Sequence, residues 1–299
     1  MHYRRPLPLS RTVLPLLILG ILAPLSCDRS DTEQETGGSR RNTGGKNAVH
    51  RKPVPPAGWV HPPQTAGRFY PAAPEKLTAM LTGFFSAPEL PRPEKNVRCL
   101  IAPHAGFPYS GGVAACSYAA ASGRTPERVV VFAPSHYHRF PGAALLEADG
   151  YETPLGTVRI DLETVRRIAR EKSWARLDRG LFRGEHALET QLPFLQHVFG
   201  EKFSLVPVLI GNPSLQNAKQ VAEMIHLLDP ETTLFAASTD MSHYFTDTQA
   251  SAMDRRALGH IRKLDTAGLS RSCAAKKTQL CGLGPVLTVM EIIRSFKSP

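Results

Sequence analysis

Four short apolar runs constrain the fold of this chain most strongly, because each has the length and composition of a buried β-strand. A run without polar alternation is typical of a strand covered on both faces. Segments with helical spacing lie between the runs, so we expect a sheet packed against helices. With 299 residues, 42% of them hydrophobic, the chain can form one large domain or two small ones. The runs are Cys99–Ala102, 128–133, Ser204–Ile210 and Thr233–Ser238.

Histidines follow three of these runs. His104 and His136 each come just after a proline that ends a run, and Asp240 and His243 follow the fourth run, three residues apart. A single histidine of this kind is more often structural than functional. Open α/β sheets, however, bind ligands beyond the carboxyl ends of their strands, so the recurrence predicts a shared cleft. Two such histidines can share a metal ion, and an aspartate can ligate the ion or orient an imidazole.

Two further places carry candidate chemistry. His186 and Glu189 stand three residues apart at a helix start, where they can form an acid–base pair or, equally, a capping pair on the surface. Cys281 precedes a glycine-rich turn and a helix amino terminus, which predicts a lowered thiol pKa. The residues alone do not favour Cys281 over Cys273 as a ligand. No GxSxG motif occurs, so a serine hydrolase is disfavoured.

The amino-terminal part has the pattern of an exported protein. Arginines precede the apolar run 12–24, which is too short for a comfortable membrane span, so residues 1–27 are predicted to be a signal peptide. A lipid on Cys27 would anchor the mature protein to a membrane. The alternative is an ordinary signal peptide with a periplasmic or secreted product. Residues 28–60 are polar and predict a disordered tether, and 61–299 form the folded domain.

The net charge of +10 is shared equally between two unlike parts of the chain. Residues through Val60 hold 9 Lys and Arg against 4 Asp and Glu, while the remainder holds 27 against 22. The predicted domain is therefore only mildly basic, and no block of basic residues interleaved with aromatic ones occurs in it. Nucleic acid is not an expected partner.

Six motifs give the domain a family resemblance. In sequence order these are PHAG at His104, PSH at His136, TPLG at Thr153, EHALETQLPFL from Glu185, STDMSHY from Ser238 and CG at Cys281. With these motifs the chain resembles the Memo family, whose bacterial members are also called AmmeMemoRadiSam system protein B. The resemblance implies an α/β fold: a single domain with a central, largely parallel or mixed sheet flanked by helices, related to class III extradiol dioxygenases.

The resemblance also implies a site and an activity. It implies an iron or copper ion held by His104, His136 and Cys281, with His243, Asp240 and His186 as catalytic residues around the same cleft. The function expected from it is a metal-dependent, non-haem iron or copper oxidoreductase. Its ligand, a small molecule or a peptide, is not identified. The alternatives are a metal- or peptide-binding module without turnover and an inactive, truncated relative.

The chain departs from the family pattern in two respects. Family members usually continue for several tens of residues beyond the CG motif, so we expect a shortened carboxyl-terminal part and an unpaired sheet edge. Familiar members are intracellular, whereas this chain is predicted to be exported. An oxidising compartment would expose Cys281 to oxidation or to a disulfide with Cys273.

Overall fold

The computed structural model of the chain describes residues 17–19, 58–94 and 97–296. Apart from Leu17–Leu19, the predicted signal peptide lies outside these residues, as do Cys27 and nearly all of the predicted tether. Residues 58–60, at the end of the predicted tether, belong to the folded part, since the amide of Asp149 donates to the Trp59 carbonyl at 2.9 Å.

A mixed sheet forms the centre of the domain, as predicted. Its strands lie in the order β1-β3-β10-β4-β9-β5-β8, and only the β5–β9 pairing is antiparallel. A small second sheet has the order β2-β6-β7. The strands are β1 (Leu17–Leu19), β2 (Val60–His61), β3 (Cys99–Ala102), β4 (Arg128–Pro134), β5 (Ala143–Leu145), β6 (Gly150–Thr153), β7 (Gly156–Arg159), β8 (Ala175–Leu177), β9 (Ser204–Ile210) and β10 (Thr233–Ser238).

Helices cover the sheet and bury its strands. In the part of the chain that the structure describes, no helix has the length and apolar character needed to cross a membrane. The helices are α1 (Pro74–Phe85), α2 (Phe107–Ala121), α3 (Leu162–Glu171), α4 (His186–Glu189), α5 (Leu192–Phe199), α6 (Leu215–Ala222), α7 (Asp247–Arg262), α8 (Thr266–Ala274) and α9 (Leu283–Ser295), with 3₁₀ turns at Arg179–Phe182 and Glu223–Leu227.

The four predicted strands are all present, and β4 runs one residue further than predicted. Every residue of β3 and β9 is buried, which explains their unbroken apolar sequence. Helix α2 begins at Phe107, and Pro108 lies in its first turn, where the missing amide hydrogen costs nothing. The loop that carries His104 is therefore short.

Strand β3 has a neighbour on each side. On one side the backbone of Leu17–Leu19 pairs with it in parallel, with Leu17 opposite Cys99. On its other side β3 pairs with β10, and β10 pairs with β4. These three adjacent parallel strands are the ones whose carboxyl ends carry the candidate site.

Candidate metal centre

The structure brings the predicted site residues together at one end of the sheet. His104, His136 and Asp240 each lie two residues beyond the end of their strand. Since β3, β10 and β4 are adjacent and parallel, their carboxyl ends meet at a single edge. Cys281 reaches this edge from the turn before α9, and His186 reaches it from the first residue of α4.

His104 is held by a buried chain of hydrogen bonds. Its Nδ1 lies 2.8 Å from the hydroxyl oxygen of Ser238, and that hydroxyl is 2.6 Å from the carbonyl oxygen of Ala187, to which it donates. Gln191 donates to the same hydroxyl, and Tyr118 donates to Gln191. Because the only hydroxyl hydrogen of Ser238 is already used, His104 must donate from Nδ1. Its Nε2 therefore carries a lone pair, as a metal ligand requires.

That lone pair faces Cys281. The Sγ atom lies 3.0 Å from His104 Nε2 and accepts the backbone amide of Asp240 at 3.1 Å. Gly282 allows this approach, because a Cβ there would lie only 2.2 Å from the carbonyl oxygen of Ser238. A side chain at residue 282 would push the Cys281 turn away from the sheet.

The predicted lowering of the Cys281 thiol pKa is wrong for the structure as it stands. Burial, and then the negative charge of Asp240, raise the pKa of the thiol to about 12. Hydrogen bonds from the backbone and Thr239 oppose this shift only in part. The helix amino terminus noted in the sequence does not overcome burial, so without a nearby cation Cys281 is a neutral thiol.

His136 is oriented by a carboxylate. Its Nδ1 lies 2.8 Å from Glu185 Oε1, and its backbone amide donates to Glu185 Oε2 at 2.7 Å. Glu185 is almost fully buried and also accepts the amide of Ala187. Such a carboxylate fixes the Nδ1–H tautomer of a ligating histidine and leaves Nε2 free.

His186 lies between two rings. It stacks on His136 with centroids 4.6 Å apart and on Phe69 with centroids 4.4 Å apart. Its Nδ1 is buried, has no hydrogen-bond partner in the described part of the chain, and lies 3.6 Å from Glu185 Oε1. Burial lowers the pKa of His186 below its usual value. Glu189 does not share this site, although the sequence permitted an acid–base pair with His186, because it is fully buried and bonds elsewhere.

Asp240 and His243 border the cleft on the opposite side. Asp240 Oδ1 accepts the backbone amides of His104 at 2.8 Å and of Ala105 at 3.1 Å. Its other oxygen, Oδ2, lies 3.7 Å from His104 Nε2 and 3.9 Å from His243 Nε2, beyond hydrogen-bond distance. His243 has 35% of its side chain exposed and can exchange protons with solvent.

Among the described residues, two groups of possible metal ligands share His104. One contains His104, His136 and His186, the other His104, Asp240 and Cys281, and within each group the ligand atoms lie within 4.8 Å of one another. The predicted set of His104, His136 and Cys281 draws on both groups. Burial, followed by the neighbouring histidines, lowers the pKa of His104 well below its usual value, so its imidazole is neutral.

The donors suit a soft or borderline metal. A thiol and several imidazoles favour copper(I), iron or zinc over magnesium or calcium, which prefer oxygen ligands. The tautomer of His104 is already the one that a metal needs, and the buried Nδ1 of His186 has no partner among the described residues. The residues present therefore fit a metal ion of this class.

Three positioning residues were not predicted as part of the site. Glu185, Ser238 and Gln191 orient His136 and His104. Glu185 and Gln191 lie in the EHALETQLPFL motif, six residues apart, and Ser238 is the last residue of a buried strand. A polar residue at the buried end of an apolar run is the signal that could have pointed to Ser238.

The fold and the cluster define a class: a mixed α/β domain with a His/Cys/Asp cluster at the carboxyl ends of its parallel strands. Comparison with known proteins identifies the family, since the family described as Memo-like protein matches residues 61–298. The chain belongs to the Memo family.

Curated relatives agree with this assignment. A MEMO1 family protein of Methanopyrus kandleri is 36% identical over 245 residues, covering 78% of this chain and 87% of the relative. Another, of Sulfolobus acidocaldarius, is 32% identical over 248 residues, with coverages of 78% and 87%. A third, of Nitrosopumilus maritimus, is 30% identical over 236 residues, covering 77% of this chain and 86% of the relative.

Proposed function

We propose that this Memo-family protein binds an iron or copper ion through His104, His136 and Cys281 and acts as a metal-dependent oxidoreductase. The observation that carries the proposal is the pairing of His104 and Cys281. The lone-pair nitrogen of the imidazole lies 3.0 Å from the sulfur, and the hydrogen bond at Nδ1 fixes this orientation. Such an ion would supply electron transfer and an open position for oxygen or substrate.

The other residues of the site have separate roles in this proposal. Glu185 and Ser238 hold the two ligating imidazoles in the required tautomer. Asp240, anchored through Oδ1 by two backbone amides, presents Oδ2 to the cleft as a fixed negative charge. His243 is half-buried and next to that charge, so it can carry a proton between the cleft and solvent. His186 borders the site through its stack on His136.

Oxygen consumption by metal-loaded protein tests the activity. We expect iron- or copper-loaded protein to consume oxygen in the presence of a reductant faster than the free metal does. His104→Ala should consume oxygen no faster than the free metal. His226→Ala, which changes an exposed histidine outside both ligand groups, is the control and should keep the oxygen consumption. Consumption that is equal in the two variants, with both folded by circular dichroism, would refute the proposal.

A second candidate function is binding without turnover. Five large hydrophobic side chains are strongly exposed among the described residues, and four of them follow the site strands: Tyr109, Tyr137, Tyr244 and Phe245. Tyr137 and Tyr244 lie within about 7 Å of the rings of His136 and His243. A rim of exposed aromatic rings favours capture of a peptide or another ligand. Metal binding without oxygen consumption would support this alternative.

We also propose that the protein is exported and anchored to a membrane through a lipid on Cys27. The support is the sequence alone: an apolar run behind arginines and a small residue before the cysteine. Mass spectrometry of the mature amino terminus tests it. An acylated Cys27 is expected, and an unmodified chain that retains Met1 would contradict both export and anchoring.

A further inference from the structure

A pocket lies beside the metal centre, on the side of Asp240. It is bounded by the end of β3, the start of α2, the loop after β10 and one face of α7, and its volume is about 280 Å³. This is near the lower end of the range for small-molecule sites, roughly 300–1,000 Å³. Asp240 belongs both to this pocket and to the cluster that contains His104 and Cys281.

One wall of the pocket is apolar. Four aliphatic side chains from three elements form it, and Tyr109 at the start of α2 lies at its edge with 72% of its surface exposed. Apolar surface of this kind favours a hydrocarbon or aromatic group, because burial removes that group from water. The four side chains are Ile101, Val113, Leu258 and Ile261.

The pocket lining also contains acidic side chains. Asp240 and Asp254 both line the pocket, with His243 and Ser242 between them along the chain, and neither a lysine nor an arginine is among the lining residues. Within the described part of the chain, neither carboxylate forms an ion pair with a lysine or an arginine. Asp254 accepts the amide of Ser242 through Oδ1, and Asp240 keeps Oδ2 outside hydrogen-bond distance of its neighbours.

An apolar lining that also contains two carboxylates, neither of them paired with a lysine or an arginine among the described residues, selects one ligand class. We propose that the pocket binds a small apolar amine, with its ring or alkyl chain against Leu258 and Val113 and its ammonium group directed to Asp240 and Asp254. A neutral alcohol would bury the same apolar area without balancing the charge, and an anion would be repelled. The amine would then lie next to the metal centre.

This inference rests on the proposed function only if the bound amine is also the substrate of the metal centre. Binding itself is measured without metal or turnover, so the two proposals can fail separately. The probes are benzylamine, which is protonated at pH 7, and the isosteric benzyl alcohol and benzoate. Isothermal titration of the metal-free full chain should give the order benzylamine, benzyl alcohol, benzoate, from tightest to weakest.

Three variants test the placement. Asp254→Asn removes one charge while its oxygen can still accept the Ser242 amide, so it should weaken benzylamine binding on the order of tenfold and leave benzyl alcohol unchanged. Leu258→Trp fills the pocket and should abolish binding of both. Ala252→Trp introduces the same ring at an exposed position of the same helix and is the matched control.

Several results would overturn the proposal. Equal affinity for benzylamine and benzyl alcohol would remove the charge argument, and tighter binding of benzoate would reverse it. Benzylamine binding that survives Leu258→Trp would place the ligand elsewhere. Binding that requires added metal and is unaffected by Asp254→Asn would show an amine bound to the ion rather than to this pocket.

Discussion

Two buried glutamates at the ends of one short helix have different roles. Glu185 is the residue before α4 and Glu189 is its last residue, and both are almost completely inaccessible to solvent. Glu185 faces the candidate metal centre and bonds to His136. Glu189 faces the amino-terminal segment that packs behind the centre. One turn of helix thus separates Glu185, which orients a histidine of the candidate site, from Glu189, which stabilises the fold.

The partners of Glu189 explain its structural role. Its two oxygens accept five hydrogen bonds: from the amide and hydroxyl of Thr65, the amide of Gln64 and the hydroxyls of Tyr70 and Tyr151. Gln64 and Thr65 are more than 120 residues away in sequence. Since such donors are costly to bury unpaired, Glu189 fixes where this segment lies. The carboxylate of Glu185, by contrast, bonds to His136 in the cleft loop and to the amide of Ala187 in its own helix.

The largest expected effect comes from Glu189→Ala. Removing the carboxylate leaves several buried donors without an acceptor, which should reduce the free energy of unfolding by about 3–5 kcal/mol. Urea denaturation followed by circular dichroism measures it. Glu185→Ala is the matched comparison and should cost less than half as much. Equal losses in the two variants would contradict the division of roles.

His61 should make stability depend on pH in the same amino-terminal region. It is buried among Trp59, Tyr151 and Phe182, and neither ring nitrogen has a partner among the described residues. Burial, with a smaller contribution from the positive charge of Arg183, lowers the pKa of His61 from 6.5 to about 4. The unfolded chain therefore binds the proton more readily.

The stabilisation from neutral His61 is complete above pH 6.5 and is lost as the pH falls toward 4, by about 3 kcal/mol in all. Unfolding free energies of the wild type and His61→Phe, measured from pH 7 to pH 4, test this. Phenylalanine keeps the ring but cannot take up a proton, so the wild type should lose stability more steeply. Parallel curves would show that His61 does not titrate as described.

Glu185→Gln should act on metal affinity more than on stability. The amide has the shape of the carboxylate but neither its charge nor its full acceptor capacity. The imidazole of His136 is therefore held less firmly and becomes less basic. We expect metal affinity to fall roughly 10- to 100-fold, with a change in unfolding free energy of about 1 kcal/mol. Competition with a chelating dye measures the affinity. Glu189→Gln should instead reduce the free energy of unfolding more than the metal affinity. A larger loss of metal affinity in Glu189→Gln than in Glu185→Gln would contradict the comparison.

The smallest effects separate the two tyrosines that donate to Glu189. The hydroxyl of Tyr70 lies 2.6 Å from Glu189 Oε1, whereas that of Tyr151 lies 3.4 Å from Oε2. Tyr70→Phe should therefore cost about 1–2 kcal/mol, and Tyr151→Phe less than about 0.5 kcal/mol. Thermal unfolding of both variants gives the order. A larger loss in Tyr151→Phe would mean that the shorter bond is not the stronger one.

The sequence predicted the strands well, because Cys99–Ala102 and Ser204–Ile210 are buried on both faces and have no polar alternation to misread. It also predicted that His104 and His136 meet, since parallel strands end at one edge. Helices α7 and α8 were missed. Their surfaces are largely polar, although Thr246 and Gln249 form a capping box that marks the start of α7.

Long-range packing set the limits of prediction. The role of Glu189 depends on donors more than 100 residues away, and no local pattern encodes them. Helix position alone suggested an activated thiol at Cys281, but the depth of burial, which raises its pKa, appears only once the chain is folded. The choice of Cys281 over Cys273 came from family resemblance, and in the structure Cys281 is the one that faces His104.

Metal content tests the central claim most directly. Protein purified without oxygen should hold iron or copper at close to one ion per chain, and Cys281→Ala should lose most of it. Cys273→Ala, which removes a half-buried thiol outside both ligand groups, should retain it. Elemental analysis of the three proteins gives the answer. Unchanged iron and copper in Cys281→Ala, or no bound metal in the wild type after loading, would contradict a centre built on His104 and Cys281.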